Sequence, residues 1–291
     1  MDSNINQKSS EDWWNSDQQS KWEDYYYKED FQGLRLKARE QKVIKFLDSL
    51  NMPQKSKILE LGFGAGITSA KIIRKGYYLH GIDISETLCK IARKNCYKVT
   101  NTEGKFSLNV GDAKNLQFKD DYFDVVFGIG FLQYMESPLQ CLREAKRVLK
   151  RGGYFIIGQE NLYGLHYLDN PFGLFKVIYT IITGGKYEFY IRNTFILNWI
   201  LFIAIIFNLK SKKKLRLIKK TKLPRKNLIT PKRLRFLIKK AGFTICRCGA
   251  GGFYSNYSIL PRKLSLKLQK WSDSKKRPFS FGNAVIFLAK K

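Results

Sequence analysis

KILELGFGAG, residues 57–66, joins a run of apolar residues to three glycines spaced two apart. The run KILEL is typical of a short buried strand, and it carries Glu60 near its end. Because glycine has no Cβ, a turn containing Gly62, Gly64 and Gly66 lets backbone NH groups and a helix N-terminus approach a ligand. The stretch therefore predicts a strand, a ligand-binding turn and a helix, in that order.

The region that follows alternates short apolar runs with amphipathic segments as far as about Lys150. This alternation is typical of βαβ units and predicts an α/β fold with a mostly parallel sheet. After KILEL, the predicted strands are YYLHGID, KFSLNVGDA, FDVVFGIG and GYFIIGQ, with GFTICRC and NAVIFLAKK as closing strands.

Helix boundaries are predicted from cap residues. Ser85, Ser137 followed by Pro138, and Thr230 followed by Pro231 indicate helix starts. The helix after Ser137 is predicted to stop at Gly152.

Four parts follow from these patterns. Residues 1–56 form an aromatic and helical segment that packs on the domain or covers a ligand as a lid, and residues 57–160 form the core. Residues 161–229 are an apolar and basic insertion, and residues 230–291 supply a helix and the closing strands. The aromatic cluster of the first part contains Trp13, Trp14, Trp22, Tyr25, Tyr26 and Tyr27.

Charge is distributed unevenly along the chain, whose formal net charge is +29. Residues 1–160 hold 25 Lys and Arg against 21 Asp and Glu, whereas residues 161–291 hold 28 against 3. No acid occurs from Phe189 to Ser272, and Lys210 to Lys240 carries 15 basic residues. Such a field attracts phosphate on nucleic acid or on anionic lipid, although a solvated charged face is an equal alternative.

The cysteines and the polar, acidic start of the chain bear on location. Five cysteines, an odd number without a CxxC pair or metal spacing, predict reduced thiols in a cytoplasmic protein and no metal site. MDSNINQKSSEDWW does not have the pattern of a secretory signal.

The glycine turn has two possible ligand classes. A dinucleotide-binding turn reads GxGxxG, but the sixth position counted from Gly62 is Ile67. ELGFGAG, HGIDIS, NVGDAKNLQF and FDVVFGIGFLQYMESPLQCLREAKRVLKRGGYFII together resemble the class I S-adenosylmethionine (SAM) dependent methyltransferases, of the type 11/25-like, small-molecule or lipid kind. The resemblance implies a Rossmann-like, doubly wound, seven-stranded sheet interrupted by an insertion after strand 5, with SAM as cofactor.

The resemblance also implies roles near the methionine part of SAM. The three glycines would form the turn beneath it, and Glu60 would orient its amino end. Gly128 and Ile129, just past the fourth strand, would line the cofactor near its sulfonium.

On the nucleoside side, the resemblance implies that Asp83, with Ile84 beside it, accepts hydrogen bonds from the ribose hydroxyls. Asp112, with Ala113 beside it, would meet the adenine amino group. The chemistry is consistent, because a carboxylate only accepts hydrogen bonds and repels a 2′-phosphate. Strand-terminal turn residues are the alternative for both acids.

The chain departs from the family where many small-molecule members carry two histidines, since Gln133 and Tyr134 stand there. The candidate catalytic groups are His166, in NLYGLHYLDNP after the fifth strand, together with Tyr134 and Glu160. His80 lies within a strand pattern and is predicted to be structural.

The insertion contains FGLFKVIYTIIT (172–183) and TFILNWILFIAIIFNL (194–209), followed by KSKKKLRLIKKTKLPRK. The second run has 16 residues, fewer than the roughly 20 that span a bilayer. Apolar residues beside a polybasic segment favour contact with an anionic membrane, and a buried cap over the acceptor pocket is the alternative. We predict a methyltransferase at the cytoplasmic membrane face that acts on an apolar small-molecule or lipid-linked acceptor.

Two rival functions use the same residues. An RNA methyltransferase would use the basic stretch, although GIGF replaces the NPPY-type motif of amino-methylating nucleic-acid enzymes. A SAM-binding adaptor without catalysis would account for the missing histidines.

Overall fold

The computed structural model describes most of the predicted core and its closing strands. Its described residues are 14–16, 23–28, 31–100, 104–161, 229–251, 267 and 284–291. His166 and the apolar runs of the insertion lie outside these residues.

Seven strands form one sheet in the order β3-β2-β1-β4-β5-β7-β6. Neighbouring strands from β3 to β5 pair in parallel, while β7 is antiparallel to both β5 and β6. The order reverses between β1 and β4, which is where a doubly wound sheet opens a crevice for a ligand. The predicted fold class is confirmed, with strands β1 Lys57–Leu61, β2 Tyr78–Asp83, β3 Phe106–Val110, β4 Phe123–Ile129, β5 Leu149–Glu160, β6 Thr244–Gly251 and β7 Ala284–Lys290.

Helices cover both faces of this sheet. They are α1 Asp24–Tyr27, α2 Phe31–Asp48, α3 Ile67–Arg74, α4 Glu86–Tyr97, α5 Pro138–Val148 and α6 Pro231–Lys240, with a 3₁₀ turn at Leu132–Tyr134.

The core has two layers because successive strand residues point to opposite faces. In β5, Phe155 packs in the layer that contains Leu142 of α5 and Leu234 of α6. Ile156 packs in the other layer, with Val43 of α2 and further residues of α3 and α4. Helices α5 and α6 therefore cover one face of the sheet, and α2, α3 and α4 cover the other.

Two of the three predicted caps form. The Ser85 hydroxyl accepts a hydrogen bond from the Leu88 NH at 3.1 Å, and Thr230 accepts one from the Arg233 NH at 3.1 Å. Ser137 precedes α5 but makes no side-chain cap bond.

The predicted end of α5 at Gly152 is wrong. The helix ends at Val148, and the chain enters β5 directly because Leu149 pairs with Phe123 of β4. A shift of register follows this pair, so Gly152 lies inside the strand with φ of 77°.

Within the described ranges, none of the helices is both long and apolar enough to cross a membrane.

Candidate functional site

The turn after β1 adopts a conformation that favours glycine. Gly62, Gly64 and Gly66 have φ of 71°, 55° and 74°, in the left-handed region that other residues rarely adopt. A Cβ on Gly66 would lie 2.7 Å from the Ala92 Cβ, so this glycine also lets α3 and α4 pack closely. The prediction of a strand, a glycine turn and a helix is confirmed.

Phe131 gives the ends of β1 and β4 a second reason to contain glycine. A Cβ on Gly62 would lie 2.7 Å from the Phe131 Cβ, and one on Gly128 would overlap the Phe131 ring. Gly128 is paired with Leu61 across the two strands, and its added Cβ would also lie 2.9 Å from the Leu61 carbonyl oxygen. These glycines therefore accommodate a ring of the chain itself, a contact between distant segments that the local motif does not reveal.

Asp83 fixes the glycine turn to the end of β2. Its Oδ2 accepts a hydrogen bond from the Gly64 NH at 2.8 Å, and its Oδ1 accepts one from the Ser85 NH at 3.0 Å. Burial raises the pKa of Asp83, and the NH groups of Ser85, Gly64 and Ile84 oppose that shift. The donors hold the carboxylate at the carboxyl edge of the sheet, where the sequence had predicted a ribose ligand.

Glu60 is buried beneath the turn, with 2% of its surface exposed. The Ser69 hydroxyl donates a hydrogen bond to its Oε2 at 2.5 Å. Burial raises the pKa of Glu60 to about 8; the Ser69 bond lowers it, and the charges of Glu40 and Asp83 raise it further. A nearby cation would reverse this shift, because it favours the ionised carboxylate.

Asp112 follows β3 and lies next to Asp83 along the same edge, since the Gly111 NH donates to the Asp83 carbonyl at 2.9 Å. Its Oδ1 accepts from the Lys114 NH at 2.9 Å, which is the geometry of a turn residue. Its Oδ2 lies 3.4 Å from the Lys114 Nζ. Ala113 is buried in the core. The adenine contact remains a prediction for Asp112 and Ala113.

Tyr134 contacts the N-terminal aromatic segment. Its ring meets that of Trp14 edge-on, with centroids 5.0 Å apart. The Trp14 carbonyl accepts a hydrogen bond from the Ser85 hydroxyl at 2.9 Å, so the segment reaches the end of β2. This part of residues 1–56 thus packs beside the candidate site.

Two buried glutamines meet at this edge, one in the 3₁₀ turn that follows β4 and the other near the end of β5. The Gln159 Nε2 donates to the Gln133 Oε1 at 2.9 Å. The Gln159 Oε1 is buried without a hydrogen-bond partner among the described residues, and Gln159 is 1% exposed. An unsatisfied buried acceptor is costly, so a donor group on a ligand would be favoured here.

Two arginines of α2 lie above the same strand ends. The Arg35 Nη1 is 2.7 Å from the Glu160 Oε1, and Glu160 is 4% exposed. Arg39 is 5% exposed, and its Nε has no hydrogen-bond partner among the described residues. Burial and the charge of Arg35 lower the pKa of Arg39, while the charges of Glu160, Tyr26 and Tyr134 raise it.

The structure thus brings most of the predicted residues to one edge of the sheet. The glycine turn, Glu60, Asp83 and Gly128 form one group there, with Ile84 next to Asp83 and Ile129 next to Gly128. Glu160 pairs with Arg35 of α2, and Tyr134 packs against Trp14. His80 lies elsewhere, half-buried and edge-on to Phe118, Tyr122 and Phe123, as expected for a structural residue.

Sequence reasoning missed Arg35, Arg39, Gln159 and Phe131. One signal was available for Arg39, since it follows Leu36 by three residues and precedes Val43 by four, which places it on the apolar stripe of α2. A buried cation on such a stripe needs a partner or a ligand.

A cleft of about 390 Å³ lies between α1, α2, α3 and α4. It includes none of the predicted site residues, and Tyr26, Lys71 and Asn95 are among its lining residues. No cluster of His, Cys, Asp and Glu suited to a metal ion occurs in the part of the chain that the structure describes.

Comparison with known proteins identifies methyltransferases, the class that the sequence motifs predicted. A family model described as a methyltransferase domain matches residues 59–157. The demethylmenaquinone methyltransferase of Thermotoga maritima is 30% identical over 192 residues, which cover 65% of this chain and 70% of that protein. An uncharacterised protein of Methanocaldococcus jannaschii is 38% identical over 104 residues, or 36% of this chain and 44% of that protein.

The fold is also found in a solved structure. Magnesium protoporphyrin IX methyltransferase from Synechocystis, with bound SAH, has a TM-score of 0.59 at 15% identity and covers 98% of this chain and 99% of that one.

The chain belongs to the class I SAM-dependent methyltransferases, and SAM is the cofactor of this class. The chain spans less than half the length of three of the curated relatives that it matches.

Proposed function

We propose that this protein transfers a methyl group from SAM to an apolar small-molecule or lipid-linked acceptor at the cytoplasmic face of a membrane. The observation that carries the proposal is the clamp in which the Asp83 carboxylate binds the Gly64 NH of a turn with three left-handed glycines. That clamp lies at the carboxyl edge, beside the point where the strand order reverses.

The residues at this edge fit the chemistry of SAM. A carboxylate accepts about four hydrogen bonds, so Asp83 has capacity for the ribose hydroxyls beyond its backbone donors. The buried Arg39 guanidinium offers an unsatisfied donor to the carboxylate of the methionine part. Glu60 would face the amino end, whose positive charge would favour the ionised form.

Bound SAM supplies a methyl group on a positively charged sulfur, ready for in-line displacement. The task of this chain is to hold the acceptor close and dry, because positioning and exclusion of water account for much of the rate of such a transfer. Trp14 and Tyr134 cover one side of the edge, and the Gln159 Oε1 can orient an acceptor that carries a hydroxyl or an amine.

A hydroxyl or ammonium acceptor must also lose a proton. Glu160 is the candidate base, because it is buried at the end of β5 and its charge is balanced by Arg35 at 2.7 Å. Tyr134 is the second candidate, and His166 remains a prediction outside the described residues. A thiolate is already deprotonated and would need no protein base, whereas a carbon acceptor releases the proton that the methyl group replaces, and Glu160 or Tyr134 would take it.

The nature of the acceptor is inferred from the insertion and from the relatives. Two apolar runs follow β5 in the sequence, directly before the polybasic segment. Relatives include demethylmenaquinone methyltransferases and a ubiquinone biosynthesis O-methyltransferase, and quinones of this kind are apolar acceptors. RNA remains the second candidate acceptor, because residues 210–240 attract any phosphate.

The test incubates the protein with methyl-labelled SAM and, separately, with fractionated lipids, small molecules and RNA. We expect label in an apolar fraction, and less with Asp83→Asn than with the matched control Asp48→Asn, whose carboxylate pairs with Lys75 on another surface. Label in RNA alone would contradict the proposed acceptor, and SAM binding without transfer to any fraction would favour the adaptor. Recovery of the protein wholly in the soluble fraction at low salt would contradict the membrane location.

A further inference from the structure

The outward face of α6 is strongly basic. Helix α6 contains five Lys and Arg and no acid among its ten residues. Its buried side holds Leu234, Leu237 and Ile238. Its exposed side follows the helical period through Lys232, Phe236, Lys239 and Lys240, which we call the α6 stripe.

The charge of the α6 stripe is not compensated nearby. Within the described residues, none of its three lysines forms an ion pair. Phe236 is 58% exposed at the centre of the stripe, and the Lys240 Nζ lies 5.7 Å from its ring centroid. Arg235 is held differently, because its guanidinium packs 5.3 Å from the Phe287 ring of β7.

The position of α6 links the α6 stripe to the candidate site. Three residues separate the helix from β6, whose first residue, Thr244, pairs with Lys290. Lys290 in turn pairs with Tyr154, which is six residues before Glu160 at the end of β5. A helix of ten residues is about 15 Å long. Its first turn therefore lies toward the carboxyl edge, where Glu160 and the glycine turn are, and it follows the insertion directly in sequence.

We propose that the α6 stripe docks this protein on an anionic lipid surface. The inference rests on the proposed function, in which the acceptor is taken from a membrane, and it specifies the face that meets the lipid. Lysine side chains extend their ammonium groups to anionic headgroups while their stems cover apolar surface. The exposed Phe236 ring between them can enter the boundary between headgroups and acyl chains.

The same features make nucleic acid the weaker partner. The α6 stripe lies on the convex outer side of a single helix, whereas single-stranded nucleic acid is usually bound in a basic groove with several stacking aromatics. Arginine is the side chain best suited to bidentate phosphate contacts, and Arg235 is engaged with Phe287.

The test measures partition of the full-length protein onto vesicles that contain phosphatidylserine and onto neutral phosphatidylcholine vesicles. One variant carries Lys232→Gln, Lys239→Gln and Lys240→Gln. A matched control, Lys45→Gln with Lys94→Gln and Lys98→Gln, removes the same charge from α2 and the end of α4, on the opposite face of the sheet. SAM titration on each preparation shows that the fold and the cofactor site are intact.

We expect the variant of the α6 stripe to lose about 100-fold in partition to anionic vesicles, since each lysine contributes about fivefold. The control variant should lose far less of its partition to anionic vesicles, because its lysines face away from the lipid. Phe236→Ala should reduce partition about tenfold, and this effect should persist at high salt, where the contribution of lysine is screened.

Three results would overturn the inference. These are no partition of the wild-type protein, equal losses in the two triple variants, or a stripe variant that loses retention on RNA while its vesicle partition is unchanged. Each of them leaves SAM binding intact, so failure of the docking face is distinguished from failure of the cofactor site.

Discussion

Replacing Glu60 with glutamine tests the electrostatics beneath the glycine turn. Burial raises the pKa of Glu60 from 4.5 to about 8 in the folded chain. The unfolded chain therefore loses this proton first as the pH rises, and the folded state is penalised. Protonated Glu60 therefore contributes its full stability to the fold below pH 4.5, and this contribution is lost as the pH rises to about 8.

The size of the effect follows from the shift. One pKa unit corresponds to about 1.4 kcal/mol, so the wild-type protein should lose about 5 kcal/mol of unfolding free energy over this window from Glu60 alone. Glu60→Gln does not titrate, and its amide oxygen can still accept the hydrogen bond from Ser69. Any loss of stability caused by the amide itself is the same at every pH. Comparing how the unfolding free energy changes with pH in the two proteins therefore removes it.

The assay is urea unfolding of the protein without SAM at a series of pH values from 4.5 to 8.5. We expect the variant to gain stability relative to the wild type as the pH rises, by several kcal/mol across the series. Glu86→Gln, on the exposed surface of α4, is the control and should keep the wild-type slope. Parallel curves for wild type and Glu60→Gln would refute the reasoning.

Three further predictions concern packing, a partly exposed network of ion pairs and the cofactor. Gly128→Ala should destabilise the fold by about 3 kcal/mol in thermal or urea unfolding, because its Cβ would overlap the Phe131 ring. When Phe131 is also replaced by alanine, Gly128→Ala should cost less, although the clash with the Leu61 carbonyl oxygen remains. An equal cost of Gly128→Ala with and without the Phe131 ring would contradict the predicted overlap. Arg147→Gln should lower the unfolding free energy measured in urea by about 2 kcal/mol. The guanidinium binds Glu144, Asp120 and two carbonyl oxygens, and solvent screens part of the stabilisation that these contacts give. Arg39→Gln should weaken SAM binding by roughly 10- to 100-fold in calorimetry, whereas the exposed Arg143→Gln should leave it unchanged.

Local patterns predicted most of the fold. The β1 turn and its glycines were predictable because strand period, left-handed backbone and helix start lie within about 20 consecutive residues. The caps at Ser85 and Thr230 formed because each side chain needs only an NH three residues away. The end of α5 was mispredicted because pairing of Leu149 with Phe123, a contact with β4, takes the chain out of the helix before its glycines.

The residues of the candidate site were predictable only where a short stretch of sequence identifies them. Asp83 stood out as an acid at a strand end, and its bond to Gly64 follows from the adjacency of β1 and β2. Arg39 and Phe131 reach the site from other segments, so only tertiary packing reveals them. The occupancy of this site by SAM is the claim on which the proposed function depends.

Calorimetric titration of SAM into the folded protein tests that claim most directly. One saturable site per chain is predicted, with affinity that falls in Asp83→Asn and is unchanged in Asp48→Asn. No heat of binding from folded wild-type protein, with either SAM or its demethylated product S-adenosylhomocysteine, would contradict it.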